Sequence, residues 1–132
     1  MANEAVCIVA PTKFSEVTIA DGTAITKGTL LKLSADPNTG IASSGADVFA
    51  GITWEDKVAS DGKTKIAVAL DGEWDLTTNA GVGITLGCGI ALSGANLIRT
   101  SVAGDLLTGQ AFGRCLETAS ASEVVRCRVG FI

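Results

Sequence analysis

The two halves of the chain repeat one pattern of glycine and apolar residues. Three blocks match in the same order, two of them 59 residues apart and one 62 apart: 21–33 with 80–92, 50–55 with 112–117, and 65–70 with 124–129. The identities in the first block are Gly22 and Gly81, Ile25 and Ile84, Thr26 and Thr85, Gly28 and Gly87, Leu33 and Leu92. Such ordered matches predict an internal duplication, with loop insertions between fixed strands.

Within each block the apolar residues alternate with small or polar ones, most clearly over residues 84–92. A period of two is typical of β-strands that turn one face toward a core. Asp-Gly pairs between the runs, at Asp61-Gly62 and Asp71-Gly72, supply turns. We therefore predict an all-β fold of two duplicated β units, residues 19–76 and 77–132, packed into one compact domain as a sandwich or small barrel.

The alternation also predicts which side chains are buried and which meet a partner. The expected core residues are Ile25, Leu31, Leu33, Trp54, Ile66, Val68, Leu70, Ile84, Leu86, Ile90, Leu92, Val125, Cys127 and Val129. Trp74 has no counterpart in the second half, and Arg126 and Arg128 fall on the outward face of the last strand. These three are therefore candidates for an interface with a partner or another subunit.

Residues 1–18 precede the repeat and have no counterpart in the second half. They hold Val6, Ile8 and Val17 around Pro11, which suits an edge or a bend better than a central strand. We predict an extended N-terminal arm or an added edge strand. Removing residues 1–12 is expected to leave the fold intact.

Composition excludes several functional classes. The chain has 132 residues and a net charge of −4, so it lacks the positive field that nucleic acid binding requires. Its apolar runs are shorter than the roughly 18 residues of a membrane helix, so no membrane partner is expected. The first ten residues have no basic segment and do not resemble a signal peptide, which indicates synthesis in the cytoplasm. The chain has no histidine, the usual proton carrier near neutral pH, and we predict that it is not an enzyme.

The four cysteines, Cys7, Cys88, Cys115 and Cys127, form no C-x-x-C pair. Their even number permits two disulfides, but the expected compartment favours free, buried thiols over disulfides or metal ligands. The sequence does not decide whether any pair is oxidised.

Other polar motifs do not predict a cofactor or metal site. Residues 71–75 place three acids at alternate positions, but the glycine and glutamate that a calcium loop needs further on are missing. Glu55 and Glu117 occupy equivalent repeat positions and are expected to accept backbone amides or face solvent. The glycines over residues 81–89 match neither a dinucleotide nor a phosphate-loop fingerprint.

The repeat resembles a known family. The order G-x-x-I-x-x-G-x-x-x-x-L, then (F/A)-G-(I/R)-x-x-E, then a V-x-V-x-V-type strand is similar to the capsid decoration, or cement, proteins of tailed bacteriophages. The resemblance covers residues 17–132, although the four cysteines depart from the family's usual composition. It implies a structural virion protein that binds the outer surface of an icosahedral capsid and stabilises the expanded head.

The same resemblance implies partners and a binding segment. The expected partners are the major capsid protein and two further copies of this chain in a homotrimer, on the outer surface of a virion. An N-terminal arm in this family often adds a strand to the capsid protein, which gives affinity through main-chain hydrogen bonds. The residues expected to do so here are Asn3, Val6, Ile8, Val9, Pro11 and Lys13.

Other functions stay open on the sequence alone. A glycan-binding or adhesin-like β module would need exposed aromatic residues, and the chain has only four Phe, two Trp and no Tyr. A minor head-fibre or tail component uses similar β units. A small hydrolase or isomerase is disfavoured, because no nucleophile motif such as G-x-S-x-G is present.

Overall fold

The structure is a computed structural model that describes residues 2–130; residues 1, 131 and 132, at the ends of the predicted segments, lie outside the described residues. The described residues contain no helix. Their strands are β1 (Val6–Val9), β2 (Phe14–Thr18), β3 (Leu30–Ala35), β4 (Thr39–Ala42), β5 (Phe49–Thr53), β6 (Lys65–Ala69), β7 (Gly72–Thr78), β8 (Gly89–Gly94), β9 (Leu97–Thr100), β10 (Ala111–Cys115) and β11 (Val124–Val129). The predicted all-β class is confirmed.

Strands β2 to β6 form a closed barrel in the order β2-β4-β3-β5-β6. The antiparallel pair β2–β6 closes it, with Val17 opposite Ile66. Strands β2 and β4 run parallel and meet where Thr18 lies opposite Thr39.

Strands β7 to β11 form a second closed barrel in the equivalent order, β7-β9-β8-β10-β11. Strand β7 pairs antiparallel with β11, and it runs parallel to β9 with Thr77 opposite Leu97. Strand β1 is an addition with no counterpart in the first barrel, and it lies antiparallel along β7. The structure thus resolves the choice between sandwich and barrel as two barrels.

The duplication extends to individual backbone bonds. The amide of Ile25 donates to the carbonyl of Lys57 over 3.0 Å, and the amide of Ile84 donates to that of Ala119 over 2.8 Å. The inserted loop that the changed spacing predicts lies in the second barrel, where residues 101–110 connect β9 to β10. The first barrel spans the equivalent distance with residues 43–48.

The strands place the repeat earlier along the chain than the predicted unit bounds. Strand β2 falls in the predicted arm, and most of its counterpart β7 falls in the predicted first unit, which ends at residue 76. Sequence similarity between these two strands has largely been lost, since residues 14–18 read FSEVT and residues 73–77 read EWDLT. Only their pairing with β6 and β11 shows the equivalence.

The predicted continuous strand over residues 84–92 is wrong. A turn interrupts it, in which the amide of Cys88 donates to the carbonyl of Thr85 over 3.1 Å and Gly87 has a φ of +86°. Glycine adopts this left-handed conformation more readily than residues that carry a side chain. The turn leaves Leu86, predicted as core, 62% exposed, and the strand begins at Gly89.

Two clusters of buried side chains form the core of the described residues. One fills the first barrel, and it consists of Val17, Ile19, Ile25, Leu31, Ile66 and Val68. The larger fills the second barrel and reaches the first barrel through Leu30, Ile52 and Ala69; it also holds the predicted core residues Ile84, Ile90, Leu92, Val125, Cys127 and Val129. Trp54 and Leu70, also predicted as core, are half-buried and pack against these clusters.

Leu33 is a second correction to the predicted core, because it is 43% exposed. Its counterpart Leu92, at the equivalent place beside the β8–β9 turn, is fully buried. The difference arises because the first barrel covers the β8–β9 end of the second barrel, whereas the β3–β4 end of the first barrel is open.

Aromatic stacking and a buried asparagine join the two barrels. The rings of Phe49 and Phe112 stack with centroids 4.1 Å apart. Asn96, fully buried in the β8–β9 turn, accepts the amide of Leu30 through Oδ1 over 2.9 Å. It also donates through Nδ2 to the carbonyl of Ala2 over 2.9 Å. One polar side chain thus links both barrels and the N-terminal segment.

Candidate functional site

The paired glutamates serve the backbone. Glu117 Oε1 accepts the amide of Arg126 over 2.9 Å, and Glu55 Oε2 accepts that of Ala67 over 3.4 Å at the equivalent place. Among residues 2–130, no group of three or more histidine, cysteine, aspartate or glutamate side chains is arranged to hold a metal. Glu55 and Glu117 therefore stabilise neighbouring backbone by accepting amide hydrogen bonds, as their equivalent repeat positions predict.

Asp71 fixes the N-terminal segment to the junction between the barrels. Its carboxylate accepts the amide and the hydroxyl of Thr12, over 2.7 and 2.6 Å, and the amide of Lys13 over 3.1 Å. The hydrogen bond from Thr12 is the main cause that lowers the pKa of Asp71 below its ordinary value. This carboxylate is therefore an anchor and not part of a calcium loop.

Lys57 is a buried charge that is satisfied within the chain. Its ammonium lies 2.7 Å from Asp61 Oδ1, 3.0 Å from Asp21 Oδ1, and 2.9 Å from the carbonyls of Asp21 and Val58. Burial opposes its charge, but the hydrogen bonds to Asp61 and Asp21 outweigh burial and raise the pKa of Lys57. An ammonium has only three donors, so none is left for a ligand.

The four thiols are free. Cys115 and Cys127 lie opposite each other on β10 and β11, and both are fully buried. Burial raises the pKa of each of these two thiols above its ordinary value. Reactive thiolate chemistry is therefore not favoured at this pair.

The predicted arm forms an exposed apolar edge. Strand β1 is the outermost strand of its sheet, and Val6, Ile8 and Val9 are 58%, 39% and 50% exposed. Cys7 points the other way and packs against the core. An edge strand presents backbone groups that another strand can pair with. We call this surface the β1 edge.

Three other residues predicted to bind a capsid lie near the β1 edge. Asn3 and Lys13 are exposed, whereas Pro11 is buried. The backbone of Pro11 packs closely against Gly72. A Cβ atom built on Gly72 would lie only 3.2 Å from the Pro11 backbone. Pro11 therefore shapes the connection between β1 and β2, and it is not available for a partner.

The predicted interface residues separate into two kinds. Trp74 is 1% exposed, and its ring meets that of Trp54 at a centroid distance of 5.9 Å, so it is a core residue of this chain and not a partner contact. Arg126 and Arg128 are exposed, as predicted, and Arg114 on β10 lies directly opposite Arg128. We call Arg114, Arg126 and Arg128 the arginine face.

The arginine face is only partly neutralised by neighbouring acids. Arg126 lies 3.6 Å from Asp75, and Arg128 lies 3.5 Å from Glu73. Exposed pairs of this kind contribute little to stability. Arg114 forms no ion pair with any residue of the described chain.

The repeat spacing predicted an insertion, but sequence reasoning named no residue of the loop over 101–110 as a candidate. Asp105 is buried inside it and binds Arg99 over 2.9 Å, and this contact lowers the pKa of Asp105. The loop carries Leu106 and Leu107 outward, 64% and 92% exposed. The change in repeat spacing from 59 to 62 residues was the available signal, since it marks an insertion between two fixed strands.

Comparison with known proteins finds a likeness of fold but no match of sequence. No family model and no curated protein matches the sequence. The fold is similar to the crystal structure of the head fiber gp8.5 N base of bacteriophage phi29, with a TM-score of 0.50 and 14% sequence identity over 89% of this chain and 93% of that one. No helix of the described residues is long and apolar enough to cross a membrane. The likeness shows that this two-barrel chain shares its fold with a part of a phage head fiber.

Proposed function

We propose that this chain is a structural virion protein that binds the outer surface of an icosahedral phage capsid and stabilises the expanded head. The β1 edge is the observation that carries the proposal, because it is a short, apolar strand with one side left unpaired by the described residues. Its partner would be the major capsid protein, which would add a strand alongside β1. The shared fold with a phage head fiber base supports a role on a phage head.

The proposal also includes three copies and no catalysis. A homotrimer would present three β1 edges at once, and this multivalency would convert weak single contacts into tight attachment. We propose no enzymatic role, because the acids at the equivalent repeat positions accept backbone amides. Neither nucleic acid nor membrane is proposed as a partner.

The position of β1 bears on how the N-terminal segment would act. The sequence left open an extended arm or an added edge strand, and β1 is an edge strand that is already paired with β7 along one side. The side that would meet the capsid protein is therefore the opposite side of β1. A strand held in place in advance loses less conformational entropy on binding than a flexible arm does.

A head-fibre component is the second candidate, and the fold likeness is the specific observation that favours it. In that role the chain would join a fibre to the head and would not cover the shell lattice. The two candidates differ in their effect on the shell. A decoration protein would stabilise the expanded shell by itself, whereas a fibre base would attach to the shell without stabilising it.

The test is cosedimentation of purified chain with expanded and unexpanded DNA-free shells. We expect saturable binding to expanded shells only. A higher melting temperature of the saturated shells would favour the decoration role, and an unchanged one the fibre base. The triple variant Val6→Thr, Ile8→Thr, Val9→Thr should bind at least tenfold more weakly, about 1.4 kcal/mol or more. The matched control is Val58→Thr with Val82→Thr, two exposed valines distant from β1 in sequence. Equal binding by both variants would overturn the role of the β1 edge, and absence of binding to any shell would lead us to screen glycans.

A further inference from the structure

The contact that joins the two barrels has an uncovered counterpart on each barrel. In the chain, the β8–β9 turn of the second barrel docks on the first barrel. Asn96 accepts the amide of Leu30, and the carbonyl of Gly94 accepts the hydroxyl of Ser43 over 2.8 Å. The face that receives this turn includes Leu30, Ile52 and Ala69, all fully buried.

The counterpart of the docking turn is the β3–β4 turn, residues 36–38, which we call the open turn. Asn38 has a φ of +44° and Asn96 a φ of +58°, so both turns place an asparagine in the left-handed region. Asp36 and Asn38 are exposed, and the apolar Leu33 beside them is exposed where Leu92 is buried. The open turn therefore has the shape of a docking element that no residue between 2 and 130 covers.

The counterpart of the receiving face is part of the arginine face. Leu30 lies opposite Ile52, which lies opposite Ala69. In the second barrel the same three positions are filled by Gly89, Arg114 and Arg128, again directly opposite one another. Two buried apolar positions have thus become exposed arginines.

We propose that the open turn of one copy of this chain docks on the arginine face of a second copy, so that the contact inside the chain is repeated between chains. The charges are complementary. Asp36 on the open turn and Glu16 on the neighbouring strand β2 form no ion pair within residues 2–130, and neither does Arg114.

The two contacts differ in polarity, as expected for a contact that is permanent and one that forms between separate copies. The contact between barrels forms once, during folding, and its receiving face is apolar and buried like a core. A contact between copies forms from soluble chains, whose exposed faces must remain hydrated before they meet; interfaces of that kind are more polar. Arginine suits this use because its fork binds carboxylates in a defined geometry.

Since the turn and the face are different surfaces, the contact is head-to-tail. A head-to-tail contact closes into a ring or continues as an open chain. A ring of three satisfies every turn and every face, and in this respect the inference rests on the three copies of the proposed function. It is independent of shell binding.

The test is sedimentation equilibrium of the full chain at several concentrations and salt levels. We expect masses above the 13.3 kDa of one chain, falling as salt rises. The face variant Arg114→Ala with Arg128→Ala, and the turn variant Asp36→Asn with Leu33→Ser, should each weaken association by roughly tenfold or more, because each removes one side of a charge pair at the interface. Lys65→Ala, which removes an exposed charge elsewhere, is the control and should associate as the unmodified chain does. Thermal melts confirm that each variant is folded.

Mixing the two variants gives the decisive result. The face variant keeps an intact turn and the turn variant keeps an intact face, so the mixture should form one-to-one dimers and stop there. An unmodified chain that stays monomeric would overturn the inference, and so would variants that associate as tightly as the control. The second outcome would leave the proposed trimer and shell binding standing.

Discussion

Individual residues in this chain act mainly as fasteners. Asp71 holds the N-terminal segment, Lys57 ties two acidic loops together, and Asp105 closes the inserted loop on Arg99. Each is a charged group that finds its partners within the chain. Their counterparts in the other repeat differ in kind, since Lys57 corresponds to Ala119. The two repeats therefore share the same backbone arrangement but are stabilised by different side chains.

Trp74 is the largest fully buried side chain, and its replacement should be the most costly of the tryptophan changes. We expect Trp74→Ala to lower the free energy of unfolding by about 3–5 kcal/mol, because it leaves a large cavity. Trp54→Ala is the matched comparison and should cost less, since Trp54 is half-buried. Urea denaturation measures both. A smaller loss for Trp74 than for Trp54 would contradict its placement in the core.

Acid should destabilise the protein through its bonded carboxylates. Asp61, Asp71 and Asp105 each accept hydrogen bonds that lower the folded pKa. Their contribution is complete above the unfolded pKa of about 3.9 and is lost as pH falls through the lower folded values. Melting temperature should therefore be steady near neutral pH and drop below about pH 4. Asp71→Asn should reduce this drop, and an unchanged drop would show that Asp71 is not one of the linked groups.

At the scale of elements, β1 is the part of the chain that the repeat does not explain. It pairs with β7, places Cys7 against the core, and leaves its outer side open, while Ala5, just before it, is buried in the core. The interaction is a sheet extension in which the backbone of β1 is already ordered. The expectation that residues 1–12 can be removed without damage does not follow from this arrangement.

We now expect deletion of residues 2–9 to destabilise the second barrel. The deletion would expose Trp74, which lies opposite Cys7, and its neighbour Cys127 on β11. It would also remove the hydrogen bond from Asn96 to the carbonyl of Ala2. Hydrogen exchange should show faster exchange in β7 and β11 and little change in β2 and β6. Unchanged protection in β7 would mean that β1 is a dispensable arm after all.

At the scale of the molecule, the two barrels are equivalent in backbone and unequal in surface. One receiving face is apolar and covered, and the other carries arginines and is open. The duplication therefore supplied two turns and two receiving faces, and one turn docks on one face inside the chain. The open turn and the arginine face are the pair that we propose to meet between copies.

Asn96 should couple the unfolding of the barrels. We expect Asn96→Ala to cost about 1–3 kcal/mol, because it leaves the buried amide of Leu30 without an acceptor. The counterpart change Asn38→Ala is the control and should cost less, since Asn38 is exposed. Calorimetry should show one transition for the unmodified chain. A cost no greater than that of the control would contradict the role of Asn96 at the junction.

The sequence by itself determined the strand-rich class, the duplication and most of the core, because alternation and repeated glycines are local signals that survive in any context. It could not place Leu33, Leu86 or Trp74 correctly. Leu86 depends on a turn that breaks the alternation, and the other two depend on which barrel end is covered. Closure into barrels, the pairing of β1 with β7 and the exposure of Arg114 were decided only by the tertiary structure, since each arises from contacts between residues far apart in the chain.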